Sequence, residues 1–327
     1  MNSRGRAPAS GGDWFADRLP LSRVVVDRDH AARADPGLLE RPAVRFIVLH
    51  DGGALLAPGG GLAFLDRAAL PAGALLVYLG TALESEGPLA AGTPLAAAIV
   101  SASDAPYSAG LGGGWGRLRH LIAELGGRDA ALFGQALAIA NWHASHGFSP
   151  RTGEPTTPDL AGWLRRGADG HPVFPRTDPA VIVGVTDAED RLLLGRNASW
   201  PEHRYSLLAG FVEPGESLEA AVAREVREEA GIRVVAPRYL GSQPWPFPAS
   251  LMLGFRARLD PDGPAEAVAD GEELLDVRWF SRDEIAAGAI SPPGSGSIAR
   301  AIVEDWFGGE LPDGSSASPG AGPGGAG

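Results

Sequence analysis

The segment from Gly210 to Ile232, GFVEPGESLEAAVAREVREEAGI, constrains this chain more than any other. In SLEAAVAREVREEA, Leu218, Val222 and Val226 recur every four residues, the stripe that a half-buried helix requires. Glu225 and Glu229 are also four apart and Glu228 adjoins them, so a helix gathers three carboxylates on one exposed patch. Like charges so placed repel, and the patch costs stability unless it binds cations or takes up protons. Mg2+ and Mn2+, hard ions that prefer oxygen ligands, are the matching partners. Ser217 suits the helix N-cap and Gly231 a left-handed helix end. Taken alone, REVREE reads as a solvated acidic face. Gly210, Glu216 and Gly231 at set offsets reverse that reading, and Arg224 is expected to pair with a carboxylate such as Glu216, holding loop and helix in register.

The rest of the chain suggests two domains and a connector, which its 327 residues allow. From Trp14 to about Leu111, apolar runs such as RVVVDRD, VRFIVLHDG and ALLVYLG stand between Gly and Pro clusters, the pattern of a β-rich domain. Two helical stretches follow, GRLRHLIAEL and DAALFGQALAIANWHASHGF. Residues 148–179, rich in Gly, Pro, Thr and Arg, are expected to be loop-dominated. Beyond them AVIVGVT, RLLLGR, YSLLAGFV, IRVVAPRYLGSQ, LMLGFRARL and LLDVRWF read as strands, with a closing helix from about Gly296 to Phe307. Strands and helices in this proportion imply a mixed sheet between helices.

Composition removes several classes. The 28 basic residues are all arginine, so no Schiff-base or P-loop lysine exists, and cysteine is absent, which excludes thiolate chemistry and cysteine-held zinc. A net charge of −12 argues against general affinity for nucleic acid. No apolar run approaches the ~18 residues of a membrane span and the start lacks a signal-peptide pattern, so no membrane partner and a cytoplasmic location are expected.

The Gly210–Ile232 segment resembles the box of the Nudix hydrolase superfamily at Gly210, Glu216, Arg224, Glu225, Val226, Glu228, Glu229, Gly231 and Ile232. The resemblance implies metal-dependent hydrolysis of a nucleoside diphosphate linked to another group, with metal on Glu225, Glu229 and the backbone carbonyl of Ala209, and Glu228 close by. A second block, SQPWPFPASLM from Ser242 to Met252, is similar to the signature of the NADH pyrophosphatase branch. Alone it would be a proline-stiffened aromatic loop. Beside the box it implies that Gln243, Pro244, Trp245, Pro246, Phe247, Pro248, Ala249 and Ser250 line a dinucleotide pocket, with Phe211 a further ring to stack on a base or nicotinamide. In EELLDVRWF, Glu273 aligns with an additional metal-binding glutamate of the family, Glu272 being the register alternative, and SPPGSGSIAR places Ala299 at the substrate.

The fold class so implied is α+β: a C-terminal Nudix α/β/α sandwich with a mixed sheet, preceded by a β-rich N-terminal domain and a metal-free remnant of a zinc ribbon. The expected bounds are 1–12 disordered, 13–141 N-terminal domain, 142–177 ribbon, 178–308 Nudix domain and 309–327 a disordered tail. Two departures from the branch stand out. Phe174 replaces the tyrosine of YPR, and Ser149, Thr152, Gly167 and Gly170 occupy the places of two CxxC pairs. No zinc is therefore expected; His143, His146 and His171 lack an evident fourth ligand, and apolar and arginine contacts around Phe148, Trp163 and Phe174 are the expected replacement. The implied reaction converts NADH or NAD+ and water into nicotinamide mononucleotide and AMP, with Mg2+ or Mn2+, in a homodimer. The proton of the attacking water goes to a box glutamate or to Glu273. ADP-ribose and NAD-capped RNA are alternative substrates, and a non-catalytic nucleotide sensor is the alternative outside enzymes.

Overall fold

The computed structural model describes residues 15–101 and 113–311. The expected disordered start, and all but the first three residues of the expected tail, lie outside the described residues. Contacts divide the chain into two compact units, residues 1–178 with 243–251, and residues 179–242 with 252–327.

The first unit is built on strands β1 (Val26–Asp27), β2 (Arg45–His50), β3 (Gly53–Leu55), β4 (Leu75–Ala82), β5 (Pro94–Ile99) and β6 (Trp115–Arg117), helices α1 (Leu118–Leu121) and α2 (Gly127–Ser145), and strands β7 (Thr156–Asp159), β8 (Leu164–Gly167) and β9 (Pro172–Val173). The first six strands form one sheet in the order β1-β4-β5-β2-β3-β6, in which β2 and β5 run parallel. Strand alternation gives this sheet two apolar faces. Ile47 and Leu49 join the cluster under α2, with Leu132, Phe133, Ala136 and Leu137, whereas Phe46 and Val48 join a second cluster with Val44 and Leu55.

Two expectations fail here. GRLRHLIAEL forms only the one-turn α1, because its first residues are drawn into β6 by pairing with β3. The stretch read as loop instead holds a three-stranded antiparallel sheet, β7-β8-β9. Its strands are short and polar and show no alternation to announce them; ladder hydrogen bonds and a buried arginine hold them.

The second unit contains β10 (Asp178–Thr186), β11 (Leu192–Asn197), β12 (Leu208–Phe211), α3 (Leu218–Ala230), β13 (Val234–Trp245), β14 (Ser250–Leu259), β15 (Leu274–Phe280), α4 (Arg282–Ala286) and α5 (Ile298–Phe307). Its sheet runs β13-β14-β10-β11-β15, with β12 also paired to β10. Val181, Val183 and Val185 of β10 pack with Val222 and Val226 of α3. On the opposite face, a Cβ at Gly184 would come 3.0 Å from Ile302, and one at Gly254 would come 2.9 Å from Ile298. These glycines let α5 lie close against the sheet, completing an α/β/α sandwich in which α3 and α5 cover opposite faces. No helix among the described residues is long and apolar enough to cross a membrane.

Candidate active site

Local sequence positions α3. Ser217 caps it by accepting from the Ala220 amide at 3.2 Å, and Gly231 ends it at φ +68°, its amide bonding to the Arg227 carbonyl at 3.0 Å. Arg224 ties the preceding loop to the helix. Its Nε and Nη2 donate to the two Glu216 oxygens at 2.9 Å each, its Nη1 donates to Glu225 at 2.8 Å and Glu228 at 2.9 Å, and Nη2 also reaches the Phe211 carbonyl at 2.8 Å. A Cβ at Gly210 would lie 2.1 Å from the Glu225 carboxylate, so only glycine fits there.

The three carboxylates of α3 do not share one exposed patch, as the helix reading expects. Glu228 is exposed and Glu225 half-buried, but Glu229 is buried, at 5% exposure. The physical reason is the width of the buried stripe: Val222, Val226, Glu229 and Ala230 follow one another at helical spacing, which takes Glu229 inside with the core. One of its oxygens, Oε2, is buried with no hydrogen-bond partner, and the Ala209 amide donates to the carboxylate. Burial, followed by the charges of Glu273, Glu225 and Asp270, pushes the Glu229 carboxyl up to about 8. Burial also raises Glu225, against the pull of Arg224.

The charge of Glu273 acts on both Glu229 and Glu225, which puts Glu273 rather than its register alternative Glu272 among the principal neighbours of the two. Asp270 was not legible as part of the site. Its Oδ1 accepts amides of Glu272, Glu273 and Leu274 at 3.1, 3.1 and 2.9 Å, which holds its own carboxyl low and fixes the turn carrying Glu273. The turn-forming Asp-Gly at 270–271 is the only signal for it in the sequence. Among the described residues, no three Asp, Glu, His or Cys side chains are gathered as a metal-binding group; Glu225 and Glu228 are turned onto Arg224. Phe211 is 59% exposed, whereas Ala299 is buried.

The SQPWPFPAS block lies with the first unit from Gln243 onward. Trp245 and Phe247 meet edge to face, their centroids 5.0 Å apart, and both pack on the α2-side core. Arg119 stands over the Phe247 ring at 4.3 Å, and the Asn141 amide donates to the carbonyls of Pro246 and Pro248 at 3.1 and 2.9 Å. Pro244 and Ala249 are half-buried and Pro248 exposed. Gln243, Pro246 and Ser250 are buried, Gln243 completely, so they shape the loop from within.

Comparison with known proteins resolves the family. Residues 175–301 match the NUDIX domain, and residues 43–142 match the NADH pyrophosphatase-like rudimentary NUDIX domain. A Salmonella heidelberg protein named NAD-capped RNA hydrolase NudC is 38% identical over 201 residues, 58% of this chain and 75% of that protein. The chain belongs to the Nudix hydrolases, in their NADH pyrophosphatase branch. A Mycobacterium bovis relative, also named NAD-capped RNA hydrolase NudC, is 50% identical over 202 residues, 58% of this chain. The matched region spans 64% of that relative's length. A solved Nudix hydrolase from Nitrosomonas europaea aligns at 27% identity and a TM-score of 0.35, over 50% of this chain and 94% of its own.

In this member of the Nudix branch the zinc-ribbon cysteines are lost, yet the two knuckles persist. Ser149 is buried, and its Oγ accepts the amides of Arg151 and Thr152 at 3.3 Å each. In the second knuckle the Gly170 amide bonds to the Gly167 carbonyl at 2.9 Å, and a Cβ at Gly167 would lie 3.8 Å from that of Ser149. The expected packing around Phe148 and Phe174 is not what binds the ribbon, since both rings are 65% exposed. The binding contacts come from arginine, the other part of the expectation, chiefly from Arg165, which is buried among β-ladder groups. It donates to Thr156 Oγ1 and Thr156 O at 2.7 Å each, and to His143 Nδ1 at 2.9 Å, while His143 Nε2 donates to the Gly162 carbonyl at 2.8 Å. Both His143 nitrogens are thus occupied, and burial holds the imidazole down to about 4, in its neutral form. Trp163 contributes as expected, its Nε1 donating to the Tyr78 carbonyl and its ring covered by Arg33 at 4.0 Å.

Proposed function

We propose that this chain hydrolyses the pyrophosphate of NADH or NAD+ to nicotinamide mononucleotide and AMP, in a reaction dependent on Mg2+ or Mn2+. The observation that carries the reading is the Glu229 carboxylate, with one buried oxygen unpartnered and three further carboxylates close enough to raise its affinity for a proton. One buried, unpartnered carboxylate oxygen with further carboxylates around it suits a hard divalent ion. Glu225, Glu229, Glu273 and the Ala209 carbonyl would hold it. When bound, such an ion neutralises charge on the pyrophosphate and lowers the pKa of water.

The chain's own groups supply the rest. Arg224 fixes the carboxylate-bearing face of α3 against the loop that starts at Gly210, so the geometry is set before substrate arrives. The attacking water's proton passes to a carboxylate of the set Glu225, Glu228, Glu229 and Glu273. Exposed Phe211, inside the box, is available to stack on a flat ring. On the first unit, Asn141 and the prolines preset the loop bearing Trp245 and Phe247, leaving little entropy to lose on binding.

A second reading has its own support: the relatives at 50% and 38% identity are both named NAD-capped RNA hydrolase, and a capped RNA presents the same pyrophosphate bond. The test is a panel of NADH, NAD+, ADP-ribose, a diadenosine polyphosphate and an NAD-capped oligoribonucleotide, each with Mg2+ or Mn2+ and with products identified. The proposal expects the highest kcat/KM for NADH or NAD+, with release of AMP and nicotinamide mononucleotide. A higher value for capped RNA selects the second reading, and cleavage of ADP-ribose alone defeats both.

A further inference from the structure

The second unit contains a cavity of about 770 Å3 on the side of its sheet away from α3. Arg256 and Arg258 line it and alternate along β14 with Phe255 and Ala257, which belong to the α3-side core, so the guanidinium groups rise from the opposite face. Arg238 of β13 and Arg282 of α4 complete a set of four arginines, against which stand two carboxylates, Asp190 and Asp305. Both carboxylates are already spent. Asp190 pairs with Arg282 at 2.8 Å and Asp305 with Arg256 at 2.9 Å. Arg238 and Arg258, both exposed, pair with no carboxylate among the described residues.

The cavity therefore carries an excess of two positive charges in a chain whose net charge is −12. Crowded guanidinium groups repel one another, and a phosphate oxygen relieves that repulsion while matching their donor geometry. The only aromatic residue in the lining, Trp306, is buried at 4% exposure, so nothing there stacks on or reads a base. Recognition would fall on the phosphates alone. The edge position of β13 matters too: a flexible chain passes from the α3 face to this one around a single strand.

We propose that this cavity holds the sugar–phosphate backbone of a single-stranded RNA, with Arg238 and Arg258 taking phosphates, so that a dinucleotide-capped RNA is gripped by its chain as well as by its cap. The second half of this statement rests on the dinucleotide-hydrolase reading; the cavity's affinity does not. The acidic balance still opposes general affinity for nucleic acid, and the expected binding is local and salt-sensitive.

The test uses the full chain and the double variant Arg238→Gln/Arg258→Gln. Fluorescence anisotropy follows an uncapped, 5′-fluorescein-labelled oligoribonucleotide of about ten nucleotides, enough to span several phosphates, across a KCl series. The proposal expects the variant to bind at least ~10-fold more weakly and its log–log salt slope to shrink by about 1.4, two phosphate contacts at roughly 0.7 each. AMP release from free NADH and the melting temperature stay unchanged. Equal affinity and slope in the two proteins overturns the proposal, as does displacement of the RNA by ADP at equal concentration, which marks a site for free nucleotides. Self-association of the wild type that the variant abolishes overturns it in favour of an interface between copies. Wild-type protein that binds the RNA but cleaves no NADH defeats the dinucleotide reading and leaves the cavity assignment standing.

Discussion

Arg224 reaches back eight residues to grip Glu216 with two parallel N–H···O bonds of 2.9 Å each, and the same guanidinium restrains Glu225 and Glu228. This one side chain both fastens the loop to α3 and bridges Glu225 and Glu228 through one nitrogen, offsetting their repulsion. Lysine has one compact charge and no fork, so it cannot make both bonds to Glu216 at once. Arg224→Lys is expected to lower kcat for NADH by at least ~10-fold through misplacement of the carboxylates and to lower the melting temperature. Circular dichroism melts with steady-state kinetics check this. An unchanged kcat would mean that the loop's register is set without Arg224.

The buried Glu229 makes stability depend on pH in an unusual direction. Its carboxyl is pushed up to about 8 in the folded chain from an ordinary 4.5, and Glu225 moves the same way. Between those values the folded state binds more protons than the unfolded state, so stability falls as pH rises and the loss is complete above about 8. For metal-free protein the cost is on the order of a few kcal/mol. His143, held down to about 4, acts oppositely but only below its ordinary 6.5, so the window from 6.5 to 8 belongs to the carboxylates. The melting temperature of chelated protein should drop across that window, and Mg2+ or Glu229→Gln should each flatten the slope. A chelated protein whose melting temperature rises through the window contradicts the assignment.

How much of this was legible depends on how local the determinant is. The caps of α3, the Arg224–Glu216 pairing and the strands of the second unit all follow from residues within one or two turns of one another, and sequence spacing announces them. Glu229 was misplaced because a stripe read at intervals of four stops at Val226, whereas the true buried face also takes in position 229. Arg165 was invisible for another reason: in a stretch full of Gly, Pro and Arg, nothing local says that one arginine of LRRG is buried and satisfied by Thr156 and His143 from other segments. The arginine cavity likewise joins residues of β13, β14 and α4 that only the sheet order brings together.

The aromatic loop makes a divided prediction. Phe247 packs on the core of the first unit under Arg119, so Phe247→Ala should cost about 1–3 kcal/mol of stability as a partly buried truncation. Trp245→Ala should weaken NADH cleavage more than ADP-ribose cleavage if its ring meets nicotinamide, since such a contact contributes about 1 kcal/mol. Kinetics on both substrates, with denaturant unfolding, separates the two effects. Equal losses on NADH and ADP-ribose would make the loop structural or confine it to the shared adenosine half.

For the ribbon, a chelator is expected to abolish activity yet leave the first unit folded, because hydrogen bonds from Arg165 join its strands. Arg165→Leu strands Thr156 and His143 and should cost about 2–3 kcal/mol, as loss of a buried charged donor does. Elemental analysis and thermal melts test both statements. About one zinc per chain, with unfolding on its removal, would overturn them and return His143, His146 and His171 as ligands.

The most direct test of the central claim is NADH turnover by wild type and by Glu229→Gln at saturating Mg2+. The substitution keeps shape, removes the charge that a divalent ion needs and relieves the buried repulsion, so the variant should fold at least as stably as wild type without metal. The account predicts AMP and nicotinamide mononucleotide in equal amounts from wild type and at least a ~100-fold lower kcat in the variant, the scale of electrostatic contributions at such sites. A wild type that releases no AMP, or a variant that turns over at a near-normal rate, would contradict it.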